Sequence, residues 1–102
     1  MARKRRRVAR TIRIEGWDLD EANIEELAAH GVSIEILDQV AEETPRFRRN
    51  KRRRAATHQM IGPDLGGRVW VVCILETRPF IWRPVTGWPA DGPEIEWWKG
   101  SR

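Results

Sequence analysis

A chain of 102 residues with 19 Lys and Arg against 15 Asp and Glu, net charge +4, has the length for one hydrophobic core and not for two. Its single Cys excludes an intramolecular disulfide framework and a Cys-based zinc site, and its longest apolar run, Val69 to Leu75, falls far short of the roughly 20 residues of a membrane span. Met1-Ala-Arg-Lys-Arg-Arg-Arg imitates the start of a signal peptide, but Arg10 and Arg13 interrupt the place of its apolar segment, so a soluble cytoplasmic protein without membrane contact is expected.

The charges are segregated. Between Glu15 and Glu43 there are ten acidic residues and no Lys or Arg, so this segment carries −10 and the rest of the chain, by difference, +14. A separation of this size creates a local field that steers charged partners.

In chain order, residues 1–10 read as a basic arm with almost nothing to bury. Thr11-Ile-Arg-Ile-Glu alternates and predicts a short strand ending at Gly16. A helix follows, capped by Asp18 or Asp20, stapled by Leu19 and Ile24, with Ile24, Leu27 and Ala28 as its apolar stripe and Gly31 at its left-handed end. Ser33 caps a second helix whose buried side is Ile36, Leu37, Val40 and Ala41, and Pro45 stops it. Arg46 to Ile61 reads as one long strand or as two joined by a turn near Asn50. Gly62-Pro-Asp-Leu-Gly-Gly is a turn, and Val69 to Leu75 has the pattern of a central strand covered on both faces. Phe80 to Val85 makes a last strand in which Pro84 requires an edge or a bulge, and Pro89, Gly92 and Pro93 point to an irregular tail over 91–102. The fold expected for 11–90 is α+β, with two N-terminal helices packed on one face of an antiparallel sheet of three to five strands.

The two helices outline a helix-turn-helix, but the second carries Glu35, Asp38, Glu42 and Glu43 with no cation, which is the wrong charge for approaching phosphates. Seven of the nine residues from Arg46 to Arg54 are Lys or Arg: Arg46, Arg48, Arg49, Lys51, Arg52, Arg53 and Arg54. Such a run is either a solvated tether or one wall of a nucleic-acid site. Its richness in Arg, its continuation into strand, and the nearness of Trp82 and His58 favour single-stranded RNA, because guanidinium forks bind phosphate and aromatic rings accept unstacked bases. A lone His in a strand is more often a satisfied structural residue, but His58 follows this positive field, which lowers an imidazole pKa and favours the neutral, base-competent form. His30, directly before Gly31, belongs with the carbonyl end of its helix, and Cys73 with the core. Trp97 and Trp98 dock either on the sheet or on another chain.

The order "GWDLDEANIEELAAHGVSIEILDQVAEE", a basic segment, then "HQMIGPDLGGRVWVVCILETRPFIWRPVT" resembles the BrnT-type toxins of bacterial toxin–antitoxin pairs, small ribonucleases with a RelE-like fold. The matching signposts run from Trp17-Asp18 and the His30-Gly31-Val32-Ser33 turn to Ile61-Gly62, Gly67-Arg68, Glu76-Thr77-Arg78 and Arg83. The resemblance implies a metal-independent endoribonuclease without a cofactor, with RNA and a cognate DNA-binding antitoxin as partners. Arg83 carries over by position. The family's Glu-Arg pair is replaced by Ala56 and Thr57, and its closing Ala-Arg-Arg and helix by Gly87-Trp88-Pro89-Ala90. On this reading Arg83 and Arg54 hold the phosphate, His58 moves the proton and Trp82 stacks a base, on a cationic surface from which the acidic helices are turned away. The replaced positions favour a second reading, a non-catalytic RNA- or partner-binding protein of the same fold.

Overall fold

The computed structural model describes residues 12–51 and 55–100. In chain order these form β1 (Gly16–Trp17), α1 (Glu21–Ala29), α2 (Ile34–Glu42), β2 (Arg46–Arg49), β3 (His58–Pro63), β4 (Val69–Arg78), β5 (Ile81–Pro89) and α3 (Gly92–Lys99). The strands make one sheet in the order β1-β5-β4-β3-β2. Leu27 of α1 and Leu37 and Val40 of α2 pack with Met60, Trp70, Val72, Ile74 and Trp82 on one face, while Ile95, Trp97 and Trp98 of α3 pack against Ile61, Val69 and Val71 on the other. The α+β class and the two helices ahead of the main strands are as expected. The basic arm over 1–10 lies outside the described residues.

Local chemistry explains the helix ends. Asp20 accepts from the Asn23 backbone N–H at 2.9 Å and the Asn23 side chain accepts from the Asp20 N–H at 2.8 Å, a reciprocal cap that satisfies two orphan donors. Ser33 Oγ accepts from the Ile36 N–H at 3.1 Å, and between the helices Gly31 takes φ 87°, open to glycine at little cost. The stripe expected on α1 is only partly buried: Leu27 is in the core, Ala28 is exposed, and the buried partner is the polar Asn23. Asn23 is tolerated there because its Nδ2 donates to the Pro84 carbonyl at 2.9 Å. Asn23→Ala removes half of the cap and strands that buried carbonyl, so a loss of about 1–3 kcal/mol in urea denaturation is expected; an unchanged midpoint would show the bond to be dispensable.

The stretch from Arg46 to Ile61 holds two strands rather than one, paired antiparallel with Arg46 opposite Ile61 and Arg49 opposite His58. β4 is central, buried from Val69 to Ile74. Its register with β5 slips between Cys73, opposite Thr86, and Ile74, opposite Pro84. The missing proline N–H therefore falls at an irregularity and breaks no regular ladder.

Three expectations are corrected. The sheet is mixed, because β1 runs parallel to β5. The predicted strand over Thr11 to Glu15 is displaced: Ile12 and Ile14 do pack against the core, but pairing with β5 begins at Gly16, and Thr11 lies outside the described residues. Residues 92–99 are helical, not irregular. There the breaking residues act as punctuation: Pro93 occupies the first turn, where no N–H is needed, and Gly100 ends the helix at φ 69°. Asp91 and Glu94 cap it reciprocally, at 2.9 Å and 2.8 Å. Trp97 and Trp98 thus dock on the sheet, and Trp98 Nε1 donates to the Thr44 carbonyl at 2.8 Å. No helix among the described residues is long and apolar enough to cross a membrane.

Candidate active site

Side chains alternate across a strand, so the register decides which of the basic residues meet His58. Arg49 lies directly opposite His58 on the face that carries Phe47 and Met60, which places their Cβ atoms about 4.5–5.5 Å apart. On β4, Glu76 follows Ile74 by two residues and shares that face, and it pairs with Trp82 of β5. The result is a cleft of about 660 Å³ beyond the end of the helix-covered core, where His58, Arg49 and Glu76 meet Arg13, Phe80 and Trp82.

Each wall has a structural cause. The Trp82 ring meets His58 edge-on at 5.7 Å between centroids, and its Nε1 donates to the Arg13 carbonyl at 3.0 Å, which brings the chain before β1 to the rim. Arg13 sits over the Phe80 ring at 5.0 Å and pairs with Glu15 at 2.8 Å. Phe80 itself holds φ 67°, a left-handed conformation costing a side-chain-bearing residue about 1–3 kcal/mol. The Glu76 carboxylate accepts its N–H at 2.8 Å and so fixes the turn.

His58 is neutral at physiological pH. Its pKa is lowered from the ordinary value by partial burial and by the Arg49 guanidinium, with Glu76 pulling the other way. The Thr57 hydroxyl lies 2.9 Å from His58 Nδ1 and reaches the Ile74 carbonyl at 3.5 Å. In the tautomer that carries its proton on Nδ1, the Thr57 oxygen accepts that proton and Nε2 holds the free lone pair. A neutral imidazole, anchored at Nδ1 by Thr57 and beside two guanidiniums and a carboxylate, can take a proton from a hydroxyl while the arginines neutralise an anionic group.

A titration checks the electrostatics. The His58 ring protons followed by NMR are expected to titrate below the ordinary histidine value, to move up in Arg49→Ala and down further in Glu76→Gln. Because the unfolded chain takes up this proton at higher pH than the folded one, His58 adds no pH dependence above the ordinary histidine value of about 6.5. Stability falls as the pH drops below it. An upward-shifted His58 would contradict the described surroundings.

The other expected site residues separate. Trp82 is only 4% exposed, packed into the core, and has no face to offer a base; the exposed aromatic of the cleft is Phe80, at 41%. Arg83 lies on β5, separated from β2 by both β4 and β3, and pairs with Asp20 at 3.0 Å, holding the α1 cap to the sheet. The Asp20 carboxyl is held below its usual range by the Asn23 N–H and then by Arg83. Arg46 and Arg48 belong to the opposite face: both guanidiniums stack on Trp97, at 4.3 Å and 4.8 Å, and Arg46 donates to the Trp97 and Trp98 carbonyls. Lys51 is exposed beside them. Arg52, Arg53 and Arg54 lie outside the described residues. The acidic helices occupy the same sheet face as His58, not the far one, since their apolar sides need that face for burial.

Arg13, Glu76 and Phe80 escaped the sequence reading. Glu76 carried the clearest signal, an acid two residues beyond Ile74 and therefore on the face of the buried Val72 and Ile74 if the strand continues. The chain matches no protein-family model and no curated protein.

Proposed function

We propose that this protein is an endoribonuclease acting on single-stranded RNA, the toxin of a BrnT-like toxin–antitoxin pair, working in the cytoplasm. The observation that carries the reading is the convergence of His58, whose surroundings favour the neutral imidazole, with Arg49, Arg13 and Glu76 in one cleft. The order of sequence signposts from Trp17-Asp18 to Glu76-Thr77-Arg78 supports the family. Its partner is a cognate antitoxin covering the same cationic surface.

RNA supplies its own nucleophile, so the protein must position, neutralise and accept one proton. His58 Nε2 takes the proton of the ribose 2′-hydroxyl as the 2′-oxygen bonds to phosphorus. The bond from phosphorus to the 5′-oxygen breaks, and that oxygen takes a proton from water. Arg49 and Arg13 neutralise the phosphoryl oxygens, Glu76 favours the imidazolium as it forms, and Phe80 offers a ring to the adjoining base. The products are a 2′,3′-cyclic phosphate and a 5′-hydroxyl. Arg83, held by Asp20, has a structural duty, and Arg49 takes the phosphate role first given to it.

Purified protein incubated with mixed RNA and a chelator tests this reading. Discrete fragments are expected. RNA that is bound in a salt-sensitive way and stays whole would replace the enzyme with the binding protein of the second reading.

A further inference from the structure

A second cleft, of about 420 Å³, lies on the opposite face of the sheet, lined by Arg48, Arg49, Lys51, Gln59 and Trp97. It shares Arg48 and Arg49 with the His58 cleft, so the two are continuous around β2, the outermost strand. We infer that this second cleft is a nucleotide-binding subsite and that one single-stranded RNA chain crosses the edge of β2, with its scissile phosphate at His58 and a neighbouring segment held against Trp97. The inference rests on the RNA reading of the His58 cleft and adds the path of the substrate.

Three features of the second cleft fit this ligand. Its cations outnumber its acids, since Arg48, Arg49 and Lys51 line it and no carboxylate does. It contains a stacking platform: Trp97 is half-buried with guanidinium planes against its ring, so an entering base meets either an indole or a guanidinium, and both stack on bases. It is also preorganised. Gln59, only 8% exposed, accepts from Arg48 Nε at 2.8 Å and donates to Asn50 Oδ1 at 3.3 Å, which holds the Arg48 side chain in place before any ligand arrives. A duplex cannot serve both clefts, because double-stranded nucleic acid resists bending over so short a distance. A flexible single strand can.

The reading also explains the alternation of β2. Arg46 anchors α3 through its last carbonyls, Arg48 faces Trp97, Arg49 faces His58, and Lys51 stands where the chain leaves the strand. One strand thus presents cations to both sides of the edge that the RNA would cross.

The test measures binding of 2′-O-methyl oligonucleotides, which lack the nucleophile and cannot be cleaved, to the full chain by fluorescence anisotropy at several salt concentrations. An octanucleotide should bind the wild type at least about tenfold more tightly than a dinucleotide. Lys51→Ala should remove much of that gain and flatten the salt dependence by about one phosphate contact. Trp97→Leu should cost the octanucleotide about tenfold; if it fails to fold, Lys51→Ala, at an exposed position, still decides. A wild type that cleaves RNA but gains no affinity with length, or a Lys51→Ala protein with unchanged octanucleotide binding and salt slope, overturns the path and leaves the nuclease reading standing. Length-dependent binding that Lys51→Ala weakens, in a protein that cuts no RNA, supports the path and overturns the nuclease. Binding of neither oligonucleotide overturns both.

Discussion

His58→Ala should reduce RNA cleavage by about 10²- to 10⁴-fold, the range for loss of a positioned proton acceptor, while leaving the fold intact. The side chain is only partly buried and its main structural neighbours are the Trp82 edge and the Thr57 hydroxyl, so little packing is lost. The pH profile should carry the same signature. Partial burial and Arg49 lower the His58 pKa, so the neutral form persists below the ordinary histidine value and the acid limb of cleavage should fall there. Arg49→Ala should move that limb upward as well as slow the reaction, because it removes both a repelling charge and a phosphate contact. A profile indifferent to Arg49 would detach the chemistry from this cleft.

Trp82→Ala should destabilise the protein by about 3–5 kcal/mol, a large share of the stability of a small domain. Trp82 is buried among the residues that join α1 and α2 to the sheet, and its indole N–H satisfies the Arg13 carbonyl. Deleting the ring opens a cavity beneath His58 and releases the segment that carries Arg13. Urea denaturation measures the loss. A base-stacking Trp82 would behave differently, with weakened RNA binding and little change in unfolding midpoint, and that result would contradict its place in the core.

The uneven legibility of the sequence has physical reasons. Short-range rules sufficed to narrow the first cap to Asp18 or Asp20, and for the cap at Ser33, the left-handed Gly31 and the apolar run of β4, because each depends on neighbours in the chain. The third helix is hidden because Pro89, Gly92 and Pro93 look like breakers, although Pro89 ends β5 and Gly92 and Pro93 fall in the first turn of α3, where they permit a helix. The site was half legible. His58 and the basic run stood out by composition, but composition could not divide the run between faces. Only the pairing of Arg49 with His58, and of Arg48 with Gln59, sets one arginine beside the histidine and stacks the other on Trp97. Arg83 misled for the complementary reason: a strand arginine looks available until the folded chain brings Asp20 against it. Arg13 and Phe80 meet only because the segment before β1 crosses the turn after β4, a contact with no local signal.

One oligonucleotide tests the central claim, that this cleft moves a proton from a ribose 2′-hydroxyl through His58. A strand of deoxynucleotides with a single internal ribose, incubated with the protein and a chelator, should be cut only on the 3′ side of that ribose. The cut should leave a 2′,3′-cyclic phosphate and a 5′-hydroxyl with the wild type and an intact strand with His58→Ala. Cleavage at deoxynucleotides, or equal cleavage by His58→Ala, would contradict the account.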